Sequence, residues 1–414
     1  MKKILFLTHR VPYPPDRGDR IRSHHLLRFL AGRAEVSLGC VAEHPVAGGV
    51  IGELQKLCTR VAVEPTSPNS RVVQDAICLL TGRSATEGHF WSHRLARILS
   101  DWAQVDRFDF ILCFCSGMYR YARLPKLRDV PTAVDLVDVD SLKWADCAIG
   151  AAFPRSWLYR WESTRVQKLE REITRHADRV YIISRDEKQL LQQAVGFENA
   201  RVASNGVDLG YFTTDFVQES CRLSCCFVGV LDYLPNVEAV VWFANEVWGL
   251  IRERHPTAEF KVIGRSPSQA ILRLASAPGV SICPDVPDVR PYLRESTVAV
   301  APLRIARGIQ NKVLEAMAMG KPVVASPEAL TGIEAEPGCD LLVASHASEW
   351  VQQVDYLFTN PESMQTLSRR ARRFVESNHD WSTCLLPFEE LTESSDVVLK
   401  DSSPKTRHPL SASS

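Results

Sequence analysis

The alternation of short aliphatic runs with helical stretches predicts an α/β chain of two doubly wound domains, each a parallel sheet with helices on both faces. Its 414 residues suffice for two cores at roughly 100 to 200 residues per domain. A composition 24% charged and 45% hydrophobic excludes disordered, collagen-like and low-complexity chains. The turn-forming Asn205-Gly206-Val207-Asp208 then divides two series of strands.

Taken in order, residues 4–8, 36–40, 110–114, 132–136 and 180–184 are the aliphatic runs of a first sheet. Residues 227–230, 259–263, 280–283, 298–301, 322–325 and 340–343 are those of a second. The expected domains are 1–205 and 206–380, and the Ser- and Pro-rich residues 396–414 read as a disordered tail.

Lys plus Arg and Asp plus Glu both number 49, so the formal charge is zero. The balance is uneven along the chain: residues 1–205 hold 30 basic against 23 acidic residues, and the rest carries the opposite excess. Such a split suggests that the first half meets something anionic. Around residues 157–177, Arg160, Arg165, Lys168, Arg171 and Arg175 are interleaved with Trp157, Tyr159 and Trp161, a pattern that suits an anionic membrane surface. The bland alternative is neutralisation by Glu162, Glu170 and Glu172 on the same helix.

Met1-Lys2-Lys3 runs directly into Ile4-Leu5-Phe6-Leu7, so neither a signal peptide nor a spanning helix is expected. The twelve cysteines read as buried thiols of a reducing, cytoplasmic protein. Cys113 with Cys115, and Cys221 with Cys225 and Cys226, lack metal-ligand spacing, and no metal or other cofactor is expected.

The most informative stretch is residues 301–326, which reads as strand, Gly-containing basic loop, helix, Gly stop and strand. Ligands of open α/β sheets sit beyond the carboxyl ends of strands, where backbone N–H groups and the helix dipole favour phosphate. Arg304, Arg307 and Lys312 add positive charge there, with Gly308, Ile309 and Asn311 at the helix start. Glu315, one turn beyond Asn311, can accept hydrogen bonds from paired hydroxyls such as those of a ribose. This site wants a diphosphate between a sugar and a nucleoside.

At this point the sequence resembles the retaining glycosyltransferases of family 4, which have two Rossmann-like domains facing a cleft, the GT-B fold. Asn311-Lys312-Val313-Leu314-Glu315-Ala316-Met317-Ala318-Met319-Gly320-Lys321-Pro322 is similar to the family's signature helix, and Glu315 matches the second Glu of its Glu-x7-Glu motif. The resemblance places a C-terminal helix at 381–395, beginning at Trp381, that crosses back to the first domain. Residues 9–22 and 134–144 resemble a branch of sugar transferases from bacterial exopolysaccharide and PEP-CTERM sorting loci.

Two departures stand out. Arg307 occupies the place of the first Glu, and the element around Gly229 that grips the donor diphosphate in the family has no basic residue over 229–236. The expectation is that Arg304, Arg307 and Lys312 take over the diphosphate, with Arg307, Lys312 and Glu315 carrying the chemistry. The resemblance also implies that Gly264, Arg265 and Val286 receive the nucleoside. On the acceptor side, His9, Gly18, Asp19 and Arg22 follow the first strand, while Asp138 and Asp140 follow a later one. Asp138-x-Asp140 suggests acceptor binding or helix capping rather than a metal site.

The expected reaction moves a sugar from a nucleotide diphospho-sugar to a hydroxyl of a lipid-linked glycan in exopolysaccharide synthesis, with retention and without metal. The leaving phosphate can take the acceptor proton, so no enzymatic nucleophile is required. Expected partners are the donor, a glycan acceptor and an anionic membrane, where the protein would be peripheral; nucleic acid is not among them. A nucleotide-sugar epimerase or hydrolase, or a non-catalytic binding subunit, are the alternatives.

Overall fold

The computed structural model describes residues 1–66, 68–214, 223–306 and 308–393. The tail expected at 396–414 lies outside the described residues. Seven strands form the first sheet: β1 (Lys3–Thr8), β2 (Glu35–Ala42), β3 (Arg60–Pro65), β4 (Phe110–Phe114), β5 (Thr132–Asp135), β6 (Arg179–Ile182) and β7 (Arg201–Val202). The second contains β8 (Ser224–Val228), β9 (Glu259–Gly264), β10 (Val280–Pro284), β11 (Val298–Ala301), β12 (Val323–Ala325) and β13 (Leu342–Val343).

All pairings are parallel, and the orders are β3-β2-β1-β4-β5-β6-β7 and β10-β9-β8-β11-β12-β13. Both sheets therefore reverse direction beside their first strand, between β1 and β4 and between β8 and β11. Crevices at such switch points are where doubly wound sheets bind ligands. This is the expected pair of Rossmann-like domains. The strands β3 and β7 were not among the expected ones; each lies at a sheet edge, and β7 is only two residues long.

Continuous apolar runs follow from this architecture. Ile4, Leu5, Phe6 and Leu7 are fully buried because helices cover both faces, so the strand does not alternate with polar residues. The helices that shape the cleft are α1 (Gly18–Ala31), α2 (Pro68–Thr81), α3 (Ala85–His89), α4 (Asp140–Ile149), α5 (Arg155–His176), α6 (Arg185–Val195), α7 (Leu234–Trp242), α8 (Asn311–Ala318) and α9 (Trp381–Cys384).

After the second domain the chain returns to the first. Trp381, Leu385, Phe388 and Leu391 pack with Ile4 and Phe6 in one apolar cluster. Phe388 stacks on Tyr181 at 4.1 Å, and the Tyr181 hydroxyl donates to Glu390 at 2.6 Å. A β-carbon on Gly206 would lie 2.7 Å from the Trp381 amide nitrogen, so the linker and α9 touch backbone to backbone.

Arg22 is the one arginine among the charged side chains buried in the described residues. Its side chain is 1% exposed and meets the fully buried Asp135 in two hydrogen bonds, of 2.8 and 3.2 Å. It also donates to the Ser204 carbonyl at 3.1 Å and Asn205 Oδ1 at 3.2 Å. The expectation that Arg22 serves the acceptor is corrected accordingly: the side chain turns inward and ties α1 to β5 and the inter-domain linker.

Removing one partner of a buried ion pair leaves the other charge unpaired, at a cost of about 3–5 kcal/mol. Arg22→Met and Asp135→Leu should each lower the urea-unfolding free energy by that order. A loss below about 1 kcal/mol, the range of exposed pairs, would show that the interaction is not structural.

Candidate active site

The loop after β11 leads into α8 through Gly308. Its φ of +64° favours glycine, and a β-carbon there would stand 2.9 Å from Asp138 Oδ1 of the first domain. Ile309 is buried in the second core, anchoring the loop. Asn311 opens α8 and accepts a hydrogen bond from Asn205 Nδ2 at 3.2 Å.

No side chain caps the start of α8, and the same holds for α1. The two starts face one another across the cleft: a β-carbon on Gly18 would meet Asn311 Nδ2 at 3.9 Å. Two helix N-termini with their positive dipole ends therefore converge from different domains. This is a place for an anion.

Lys312 lies beside it. Its ammonium donates to Asn236 Oδ1 at 2.6 Å and sits 4.9 Å from the Phe227 ring centre, while Asn236 Nδ2 donates to the Val230 carbonyl at 2.8 Å. Asn236, on the first turn of α7, thus joins the loop after β8 to Lys312. Burial pulls Lys312 down to about 8, opposed by Glu315. Burial likewise pushes Glu315 up to about 7, opposed by Lys312.

Arg304 is exposed on the same loop. Arg307 lies outside the described residues. Arg265 is turned across the cleft, donating to Asp16 Oδ2 at 2.7 Å and to the Asp16 carbonyl. Burial works against the Asp16 carboxylate, yet Arg265 and Arg20 hold it below the usual range.

Gly229 and Gly264 abut at the ends of β8 and β9, where a β-carbon on Gly264 would stand 1.7 Å from the Gly229 carbonyl oxygen. Val286 packs partly buried on the second core beyond β10. Ser266 and Asp285 adopt positive φ of 55° and 49° beside it, joined by a 2.9 Å hydrogen bond.

In the first domain His9, Asp19, Asp138 and Asp140 line one cavity of about 610 Å³, together with Arg10, Phe90, Phe114, Cys115, Lys143 and Trp144. His9 Nε2 lies 3.3 Å from Asp19 Oδ2, which also receives Arg10 at 2.5 Å. Burial opposes protonation of His9, but Cys115 and Asp19 outweigh it and raise the imidazole to about 10. Burial also opposes the Asp19 carboxylate, which His9 and Arg10 hold far below its usual range.

Lys143 contacts both predicted carboxylates, Asp138 at 2.5 Å and Asp140 at 3.5 Å, and so takes the position a metal ion between them would need. Cys115 and Val137, at the ends of β4 and β5, carry φ of 71° and 66°. Strain of this kind collects at functional sites. Arg10 and Lys143 lie within residues 9–22 and 134–144, but nothing in those stretches shows that they meet Asp19 and Asp138; Asn236 escaped sequence reasoning because its partner Lys312 is 76 residues away.

An anion at α8 favours the Lys312 ammonium, which the free protein carries below about 8 and loses above it. Calorimetry of nucleoside diphosphate binding should therefore show affinity declining above about pH 8 by up to tenfold per pH unit, a slope absent in Lys312→Met. An unchanged pH slope in that variant would detach Lys312 from the site.

The geometry agrees with comparisons to known proteins. Residues 9–206 match the model of a glycosyl transferase 4-like domain, and residues 222–360 that of the glycosyl transferases group 1. No curated protein matches the chain in sequence. Among solved structures, HepE from Anabaena in complex with UDP superposes with a TM-score of 0.67 at 16% identity, covering 94% of this chain and 99% of that one. Sucrose-phosphate synthase from Thermosynechococcus elongatus gives 0.68 at 15%, covering 94% and 98%. A glycosyltransferase from Rickettsia africae gives 0.66 at 14%, covering 94% and 98%. With a 4-like domain followed by a group 1 domain on two facing Rossmann-like sheets, the chain belongs to the glycosyltransferases of the GT-B fold.

Proposed function

We propose that the protein transfers a sugar, with retention and without a metal ion, from a nucleotide diphospho-sugar to a hydroxyl of a lipid-linked glycan in exopolysaccharide synthesis. The observation that carries this reading is the convergence of the uncapped starts of α1 and α8 beside Lys312. As the sugar–phosphate bond breaks, negative charge grows on the diphosphate, and N–H groups already aimed at that place stabilise it without reorganising. Arg304 and Arg307 supply further positive charge from the same loop. Glu315 accepts from the ribose hydroxyls, and the leaving phosphate accepts the proton of the attacking hydroxyl.

The acceptor occupies the cavity of the first domain. Aromatic walls at Phe90, Phe114 and Trp144 suit the C–H faces of a sugar ring, and Asp138 and Asp140 suit its hydroxyls. The UDP held by the Anabaena protein makes uridine diphospho-sugars the first donors to try. Resemblance of residues 9–22 and 134–144 to sugar transferases of exopolysaccharide loci supports that pathway.

Peripheral membrane binding is part of the proposal. Among the described residues no helix is long and apolar enough to cross a membrane. On α5 Trp157 is 58% and Leu158 44% exposed, next to exposed Arg155 and Arg160. Glu162 and Glu170 are buried on its inner side, and of the three glutamates only Glu172 is exposed, 4.0 Å from Arg123.

Purified protein incubated with UDP-, GDP- and ADP-sugars, with and without bacterial lipid extract, should release nucleoside diphosphate only with extract, and NMR of the product should show the donor's anomeric configuration. Loss of one oxyanion-type donor costs about 10²–10³ in rate, and Lys312→Ala should fall in that range. Acceptor-independent turnover would point to an epimerase or hydrolase, and binding without turnover to a carrier subunit. Binding to anionic vesicles should fade at high salt; indifference to anionic lipid would withdraw the membrane part alone.

A further inference from the structure

The segment after β5 has an arrangement that the proposed chemistry leaves unused. Val137 is β-branched yet has a φ of +66°, a conformation kept only where the surroundings impose it. Its amide donates to Asp135 Oδ1 at 3.3 Å and its carbonyl accepts from the Ile183 amide at 2.9 Å, and two buried carboxyl groups from other helices hold the residues that follow. Glu187 of α6, 2% exposed, accepts from the Val139 amide at 2.8 Å. Glu170 of α5, fully buried, accepts from the Ser141 amide at 3.0 Å and the Ser141 hydroxyl at 2.6 Å.

Asp138 therefore lies between Val137, held by Asp135 and Ile183, and Val139, held by Glu187, with Glu170 fixing Ser141 just beyond, and it sits where the domains meet. One Asp138 oxygen takes Lys143. The other is buried, has no hydrogen-bond partner among the described residues and faces the Gly308 backbone of the donor loop. We infer that Glu170 and Glu187 are positioning residues, which touch no substrate but hold Asp138 at the junction of the acceptor cavity and the donor loop. The inference rests on the proposed reading of that cavity as the acceptor site. Neither glutamate lines the cavity itself.

The same construction serves the opposite wall. Glu162 of α5, 4% exposed, accepts from the amides of Ala85 and Thr86 at 2.7 and 2.8 Å, fixing the start of α3. One helix thus braces both sides of the cavity through carboxylates on its inner face.

The test uses Glu187→Met and Glu170→Met, which keep length and remove the acceptor oxygens, beside Glu187→Gln and Glu170→Gln, which keep one. Because a misplacement near 1 Å costs about 10²-fold, the Met variants should lose about that factor in kcat/KM for acceptor while the dissociation constant for UDP stays within about twofold. The Gln variants should restore most of the loss. Hydrogen exchange should accelerate at the amides of residues 137–141 in the Met variants and remain unchanged in the second domain. Unchanged acceptor kinetics, equal loss of UDP affinity, or exchange that speeds up throughout the chain would each overturn the inference. Where wild-type protein transfers no sugar from any donor, the functional reading fails by itself, and unaltered exchange at 137–141 still refutes the anchoring.

Discussion

A buried guanidinium governs how this molecule is put together. Arg22 is cut off from water, so its donors have to be met by the protein. They are met by Asp135 on β5, by the Ser204 carbonyl and by Asn205 in the linker, and Asn205 in turn donates to Asn311 at the start of α8. His379, just before α9, engages the Asn205 carbonyl at 2.8 Å. Satisfying one charge therefore sets α1, the acceptor-side strand, the linker, the return segment and the donor helix in a single relative position. The outer bridge from Arg265 to Asp16 closes the same cleft at a half-exposed location, where an ion pair contributes much less.

The cleft that results is bordered by backbone held in rare conformations. Cys115 and Val137 follow strands of the first sheet, and Ser266 and Asp285 follow strands of the second, all four with positive φ. They stand beyond the carboxyl ends of parallel strands, where an open sheet offers its crevice. The glycines act differently: Gly264 and Gly308 leave room for a carbonyl and a carboxylate that any side chain would displace. Positive-φ turns and glycines together let the two domains approach closely.

Much of this was legible in the residues. Strand runs buried on both faces leave an unmistakable apolar signature, whereas β3, with Arg60, Glu64 and Pro65, and the two-residue β7 leave almost none. The turn between β11 and α8 was readable as strand, glycine-containing loop and helix because these residues are contiguous. Arg22 was misassigned because it follows a loop of site residues, and its inward direction is decided by Asp135, 113 positions away. The glutamates of α5 looked like surface counter-charges for a related reason. Helical spacing shows that Glu162 and Glu170 lie near basic residues, but the faces of α3 and α4 determine which side is buried.

In the proposed reaction the starts of α1 and α8 receive the diphosphate, with the acceptor cavity facing it. A crystal structure with a bound nucleoside diphosphate tests it most directly. The account predicts phosphate oxygens within hydrogen-bonding reach of the backbone N–H groups at the start of α8 and of Lys312 Nζ, with the ribose hydroxyls on Glu315. A nucleotide whose phosphates lie inside the cavity of His9 and Asp138, or away from α8 altogether, would contradict it.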